Sequence, residues 1–187
     1  MRGGGITAED VASFLKRLDV VVSFVITSDG LPIIVEGLDE AGGEELGSVG
    51  ESVIRSGLLN RLGGADSIVA VGGREYIIVK LDGGACLTAE VRRGCGYPLA
   101  QTLAPSAPRC GRCGASFRLA SVKCPSCGAM LPYAVTSCPS CSRPIRFRRC
   151  PACGAVVDVN GGRVGLVERL GAGPAAEVVL ARAAGKV

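Results

Sequence analysis

The chain has 187 residues, 48% of them apolar, with 10 cysteines and no histidine. This composition suffices for a folded core, and it excludes histidine-based catalysis and mixed Cys/His metal sites. The net charge of +4 is unevenly divided, since residues 1–90 carry 7 basic and 14 acidic side chains and residues 91–157 carry 10 basic and no acidic ones. No apolar run approaches the roughly 18 residues that cross a bilayer, and the N-terminal segment lacks the apolar core of a signal peptide. We therefore predict a cytoplasmic protein.

The first elements predicted along the chain are a helix and a hairpin. Thr7 can cap a helix over residues 8–18, whose apolar side chains fall on one face. Two β-branched runs at residues 20–26 and 31–35 flank Asp29-Gly30, a dipeptide typical of tight hairpin turns. The order begins helix, strand, strand.

A second helix and three further strands follow. The helix is expected over residues 44–62 and is ended by Gly63-Gly64. Then come strands at 67–71, 75–81 and 85–91 and a short helix at 98–103. Several strands are apolar on both faces, so helices must cover both sides of the sheet. We therefore predict an α/β (α+β) domain over residues 1–104 with three layers.

Residues 8–104 resemble the roadblock family of dynein light chains and their prokaryotic relatives. The matching features are a Leu-rich first helix, the turn Ser28-Asp29-Gly30-Leu31, a long second helix closing on Gly63-Gly64, and closely spaced final hairpins. The resemblance implies a five-stranded antiparallel sheet and a homodimer built by the second helix, Glu44 to Leu62, and the third strand, Ser67 to Val71. It also implies binding or regulation of small Ras-like GTPases, or a platform role in a larger complex. Longin-type and profilin-like sheets are the nearest alternatives.

Eight cysteines form four Cys-x-x-Cys pairs after a Pro/Ala/Ser linker at residues 105–109. The first cysteines of the pairs are 14, 14 and 12 residues apart, which indicates an internal repeat. A two-residue spacer lets both thiolates reach one ion, and a glycine after the second cysteine tolerates a left-handed turn. Ser142 replaces that glycine in the third pair. Eight thiolates are enough for two tetrahedral metal sites.

Residues 110–156 resemble a double zinc ribbon, with all eight ligand positions present. The simplest assignment joins neighbouring pairs, and a cross-braced pairing of alternate pairs stays open. Two Zn²⁺ ions are expected, although tetrahedral thiolate sites also suit iron. Four protein ligands leave no open coordination position, so both sites are predicted to be structural. In the neighbour assignment the sites are Cys110, Cys113, Cys124 and Cys127, and Cys138, Cys141, Cys150 and Cys153.

The ribbon is rich in arginine. In Arg143-Pro144-Ile145-Arg146-Phe147-Arg148-Arg149, strand periodicity predicts that Ile145 and Phe147 face one side and that Arg146 and Arg148 face the other. Such a surface could contact nucleic acid through Arg146 and Arg148, or an acidic protein surface. Two zinc sites of about −2 each would leave residues 91–157 near +6. The opposite charges indicate contact between the two kinds of unit, within a dimer or with a partner, and the sequence leaves open whether the ribbon packs on the sheet of its own chain.

Residues 157–187 are predicted to complete a hairpin, with residues 155–159 pairing with 163–167, and to end in a short helix from Pro174 to Ala184. Outside the pairs, we expect Cys86 to be buried and Cys95 to be exposed. The sequence has no phosphate-binding loop of the Gly-x-x-x-x-Gly-Lys-Ser/Thr type. The leading hypothesis is a non-enzymatic adaptor, and the alternative is a nucleic-acid-associated factor in transcription or translation.

Overall fold

The computed structural model describes residues 6–61, 67–158, 169–172 and 177–181, and for the last two ranges it describes the backbone alone. Among the described residues, no helix has the length and apolar character needed to cross a membrane. The first unit contains α1 (Ala8–Leu15), β1 (Val21–Ser28), β2 (Leu31–Glu36), α2 (Glu40–Arg55), α3 (Leu58–Arg61), β3 (Ser67–Val71), β4 (Glu75–Lys80), β5 (Cys86–Val91) and α4 (Gly96–Leu103).

The predicted five-stranded antiparallel sheet is confirmed. Its strands lie in the order β3-β4-β5-β1-β2, and every neighbouring pair is antiparallel. The hairpin between β1 and β2 turns at Asp29 and Gly30, which both have positive φ. This is the conformation that Asp-Gly adopts most readily in a two-residue turn.

Helices cover both faces of this sheet, as predicted. On one face, Phe14 of α1 and Leu99 of α4 are fully buried with Phe24, Ile26 and Ile77 of the sheet. On the other face, α2 lies over β1, β2 and β5. Phe24 and Ile26 lie on one face of β1, and their neighbours in sequence lie on the other, as the two-residue period of a strand requires.

Glycines let α2 lie close to the sheet. A Cβ built on Gly43 would lie 2.9 Å from Val35 Cγ1, and one on Gly47 would lie 2.9 Å from Thr27 Cγ2. A Cβ on Gly50 would overlap Thr88 Oγ1. The closest approach of helix and sheet is therefore at Gly50.

Gly50→Ala should lower the free energy of unfolding by about 2 kcal/mol, because overpacking outweighs the better helix propensity of alanine. The control is Gly73→Ala in the turn between β3 and β4, where a new Cβ meets nothing within 4 Å. Its effect should stay within about 0.5 kcal/mol. Urea denaturation of both variants measures the difference, and equal stabilities would contradict this packing.

The second helix is shorter and begins earlier than predicted. It starts at Glu40, because the Asp39 side chain accepts a hydrogen bond from the Gly42 N–H at 2.9 Å. It ends at Arg55, since Gly57 has a φ of +68° and separates α2 from α3. The predicted stop at Gly63-Gly64 lies outside the described residues.

Two C-terminal strands extend the sheet beyond β3. β11 (Glu177–Ala181) pairs antiparallel with β3 over five residue pairs, and β10 (Arg169–Ala172) pairs with β11. The predicted helix from Pro174 to Ala184 is therefore wrong at residues 177–181. The β-branched Val178-Val179 and an open edge on β3 favour a strand there.

This pairing also changes the expectation for β3. The resemblance implied that a second copy would contact Ser67 to Val71, but in the structure β11 of the same chain occupies that edge. A β3 contact between copies would require β11 to leave.

Candidate metal centres

Each Cys-x-x-Cys pair lies at the turn of a small hairpin. β6 (Ser121–Lys123) and β7 (Met130–Pro132) flank the second pair, and β8 (Phe147–Arg149) and β9 (Val156–Asp158) flank the fourth. Single bridges, Arg109 with Ser116 and Ser137 with Pro144, flank the first and third. β9 pairs with β8, and residues 163–167, which we expected to be its partner, lie outside the described residues.

The four turns share one backbone conformation. The residue after the second cysteine has a positive φ in each pair, including Ser142 at 59° beside Gly114, Gly128 and Gly154 at 68° to 82°. Its N–H donates to the carbonyl of the first cysteine at 2.8 to 2.9 Å. Serine therefore adopts the turn that glycine adopts in the other pairs.

The turns assemble into two four-cysteine groups by a nested pairing. One group, here called the inner site, joins the second and third pairs, and the outer site joins the first and fourth. Both assignments considered from the sequence are therefore wrong as to pairing. The inner site contains Cys124, Cys127, Cys138 and Cys141, and the outer site contains Cys110, Cys113, Cys150 and Cys153.

A turn after β7 accounts for the nesting. The Val135 N–H donates to the Pro132 carbonyl at 3.1 Å, and this reversal brings the third cysteine pair back beside the second. Tyr133, within the same turn, stacks on Phe117 with ring centroids 4.1 Å apart. The first and fourth pairs meet on this aromatic pair, since Cys110 and Cys150 are buried with it.

The sulfur positions fit a metal ion in each group. The Sγ atoms of Cys110 and Cys153 are 3.8 Å apart, and those of Cys127 and Cys138 are 3.5 Å apart. A tetrahedron with metal–sulfur bonds of about 2.3 Å has edges of about 3.8 Å. A disulfide would need about 2.05 Å. The two groups are therefore positioned to hold metal ions.

Backbone N–H groups favour the thiolate form of the first cysteine in two pairs. The N–H groups of Cys113 and Arg112 lower the pKa of Cys110 to about 6. Those of Cys127 and Ser126 lower the pKa of Cys124 to about 6. Thiolates are the form that ligates metal. Each site brings four cysteine sulfurs together, and among the described residues no Asp or Glu side chain joins either group, which is the arrangement of a closed structural centre.

The inner site packs against the first unit. Asp19, between α1 and β1, donates its N–H to the Met130 carbonyl at 3.0 Å and accepts from the Met130 N–H through Oδ2 at 2.7 Å. Arg92 Nη1 donates to Ser140 Oγ, between two inner cysteines, at 3.3 Å. Leu131 and Val135 belong to the same buried cluster as the sheet. The ribbon is thus docked on the first unit at its inner site.

A second set of contacts joins the ribbon to α4 and to the turn after β4. Arg118 pairs with Asp82 at 3.1 Å and donates through Nε to the Leu103 carbonyl at 2.9 Å. The Leu119 N–H donates to the Thr102 carbonyl at 3.0 Å. The linker begins with a turn, in which the Ala107 N–H donates to the Ala104 carbonyl at 3.0 Å, and Ala107 is buried. The charge blocks in the sequence left open whether this contact forms within one chain, and they did not indicate the residues that make it.

Arg148 contradicts its predicted orientation. It is only 4% exposed and lies over the Tyr133 ring, 5.2 Å from the centroid, whereas Phe147 is 67% exposed. Burial lowers the pKa of Arg148 to about 10. Arg146 is exposed, as expected. Ile145 precedes β8, so the alternation of the strand begins at Phe147 and not at Ile145. Phe147 therefore faces outward and Arg148 inward, which is the reverse of the prediction.

The two remaining cysteines are both buried. Cys86 was expected to be so, but Cys95 is 1% exposed, and the expectation that it is exposed was wrong. Cys95 lies at the start of α4, where Gly94 and Gly96 suggested an exposed loop.

Neither Cys86 nor Cys95 should react with iodoacetamide in the native, metal-loaded protein at about pH 8. Burial raises the pKa of each thiol to about 11, so that roughly one molecule in a thousand carries the reactive thiolate. Peptide mass spectrometry after native labelling, with labelling in guanidinium as the control, measures this. Native modification of Cys95 at the rate of a free thiol would contradict its burial.

Comparison with known proteins gives one likeness. A scan against protein-family models finds no match, and neither does a search of curated proteins. Among solved structures, a Roadblock/LC7 domain from Streptomyces avermitilis is 22% identical over 44% of this chain and 75% of that one, with a TM-score of 0.38. The five-stranded antiparallel sheet with helices on both faces, which the resemblance implied, is present in the first unit by its own strand order and helix positions.

Proposed function

We propose that the protein is a non-enzymatic cytoplasmic adaptor in which closed metal sites fix the position of a ribbon on a roadblock-like domain. The observation that carries the proposal is the hydrogen-bonded packing of the inner four-cysteine site against the first unit at Asp19 and Arg92. A closed site stabilises a fold without offering a reaction centre. The metal is proposed to be zinc in both sites, bound by the eight paired cysteines.

The partner is proposed to be a small Ras-like GTPase or a larger complex, with the adaptor acting as a homodimer through α2. A stripe on α2 supports this contact, since Leu46 and Val53 are half-buried and Val49 is 51% exposed. Apolar side chains left exposed along one side of a helix are typical of a protein interface. β3 is not proposed as part of the contact, because β11 covers it.

Binding of the purified small GTPases of the same cell tests the proposal. Each GTPase is loaded with GDP or a non-hydrolysable GTP analogue and passed over immobilised, metal-loaded full-length protein. We expect one nucleotide state to bind, and the protein alone to hydrolyse no GTP. Binding of neither state by any of them would remove the GTPase partner, and intrinsic GTP hydrolysis would remove the non-enzymatic assignment.

Nucleic acid is the second candidate, and the exposure of Arg143, Arg146 and Arg149 beside Phe147 favours it. The burial of Arg148 and the stacking of Phe117 on Tyr133 reduce the cations and aromatic rings that could contact bases. Salt-dependent binding of single-stranded RNA or DNA that is lost on Arg146→Ala plus Arg149→Ala would support this candidate. No binding at low salt would remove it.

A further inference from the structure

Two surfaces of the chain combine exposed apolar side chains with opposite charge. The first, here called the β2 edge, is formed by Leu31, Ile33 and Val35, of which Leu31 is 69% and Ile33 50% exposed. β2 is the last strand of the sheet on that side, and in the described part of the chain no strand pairs with its outer edge. Its main-chain N–H and C=O groups are therefore open to another chain.

Acidic side chains surround the β2 edge. Asp29 in the preceding turn, Glu36 at the strand end, and Asp39 and Glu40 at the start of α2 are all exposed. Lys16 is paired with Glu36 at 2.7 Å. Arg55 lies beside Gly30 in the turn before β2, so four acidic side chains face two basic ones, Lys16 and Arg55. The edge is thus apolar along the strand, and acidic side chains outnumber basic ones at its ends.

The second surface, here called the ribbon face, lies on the outer side of the β8–β9 hairpin. Val156 is 64% exposed and lies opposite Arg149 in the strand register, and Phe147 is two residues from Arg149 on the same strand. Residues that are opposite or two apart share one face of a hairpin. Arg146 and Arg143 beside them are exposed. Asp158, which lies opposite Phe147 in the register, is the one acidic residue of this hairpin, against the three exposed arginines Arg143, Arg146 and Arg149.

These surfaces match each other in character, and among the described residues of one copy nothing covers either of them. Exposed apolar side chains that are fringed by charge are typical of binding sites, and opposite charges orient the partners. We propose that a second copy of this chain is the partner, with the ribbon face of one copy bound to the β2 edge of the other. The contact is head to tail and uses neither the stripe of Leu46, Val49 and Val53 on α2 nor the eight paired cysteines.

Two variants separate the two surfaces. The edge variant carries Leu31→Lys and Ile33→Lys, and the ribbon variant carries Phe147→Glu and Val156→Glu. Each is made in full-length, metal-loaded protein that also carries Val49→Lys, so that any dimer through α2 is removed. Sedimentation velocity over a concentration series gives the mass, and circular dichroism with metal content checks that each variant folds.

The protein with Val49→Lys alone should form species heavier than a monomer, and added salt should weaken them because the charges are exposed. The edge variant and the ribbon variant should each weaken the association at least about tenfold. Their mixture should form a complex with one copy of each, because every mixed pair retains one intact edge and one intact ribbon face. A dimer that pairs edge with edge, or ribbon face with ribbon face, would not be restored by mixing, because one of the two like surfaces is altered in every mixed pair.

A mixture no heavier than its separate components would overturn the proposal, as would a monomer at every concentration of the Val49→Lys protein. If either variant misfolds, Leu31→Ser with Ile33→Ser and Phe147→Ser with Val156→Ser replace them, and the same mixing result is required. The sedimentation measurement contains no GTPase. Its result is therefore independent of whether the protein binds a GTPase.

Discussion

Replacing Cys127 by serine should break the contacts of the ribbon with Asp19 and Arg92, whereas replacing Cys113 by serine should leave those contacts in place. Cys127 belongs to the inner site and Cys113 to the outer one, and both are the exposed second cysteine of a pair that is followed by glycine. Each change removes one thiolate from one site. They therefore form a matched pair that differs in which metal site is weakened.

The contacts of the inner site explain the difference. Met130, which bonds to Asp19, lies three residues after Cys127, and Ser140, which bonds to Arg92, lies between Cys138 and Cys141. The outer site is instead packed on Phe117 and Tyr133. Since metal binding stabilises the fold of such small units, loss of the inner ion should disorder the docking residues.

Hydrogen exchange measures this directly. The Asp19 amide donates to Met130, so the peptide spanning residues 16–24 should exchange at least about tenfold faster in Cys127→Ser than in Cys113→Ser. Metal analysis should find one ion fewer per chain in both variants. Equal exchange in the two variants would contradict the dependence of the Asp19 contact on the inner site.

Glu75→Ala should be the most destabilising change in the first unit outside its apolar core, at about 3 kcal/mol. The Glu75 side chain is buried at the start of β4 and accepts hydrogen bonds from the N–H groups of Gly94 at 2.6 Å and Gly96 at 2.5 Å. Cys95 is the N-cap residue of α4, and its side chain makes no capping hydrogen bond. The carboxylate of Glu75 on β4 therefore accepts the hydrogen bonds at the start of α4 that a capping side chain would otherwise accept.

Glu36→Gln is the control, since Glu36 is in an exposed ion pair with Lys16 and its loss should cost less than about 1 kcal/mol. Urea denaturation of the metal-loaded proteins gives both values. Because α4 also carries Thr102 and Leu103, which contact the ribbon, Glu75→Ala should in addition speed exchange at Leu119. A stability equal to that of Glu36→Gln would contradict the capping role.

The order of helices and strands along the first unit could be predicted because the strands are marked by β-branched residues and the turns by glycine, whereas the five-stranded antiparallel sheet was implied by the resemblance. The eight cysteines were equally clear from their spacing. The pairing of the cysteine turns was not predictable in this way, since neighbouring pairs are separated by similar lengths of chain. The turn from Pro132 to Val135 and the stacking of Tyr133 on Phe117 decide it, and both are contacts within the folded ribbon.

Other differences have the same origin. Arg148 was placed outward by simple alternation, but Ile145 lies outside the strand and the alternation begins again at Phe147. Residues 177–181 have a composition compatible with either helix or strand, and the open edge of β3 selects the strand. In the sequence nothing distinguishes Glu75 from an ordinary charged residue of a strand. It caps α4 only because α4 lies beside β4 in the fold.

The nested arrangement of the two sites has a consequence for the order in which metal is acquired. Cys113 and Cys150 are separated by 36 residues, and only 10 lie between Cys127 and Cys138. The inner loop therefore closes at the smaller entropic cost. Once residues 124–141 are held by the first ion, only 10 and 8 free residues connect the outer turns to them. Halving the free chain favours closure by about 0.6 kcal/mol, so metal should fill the sites from the inside outward, and the second ion should bind more readily for the presence of the first.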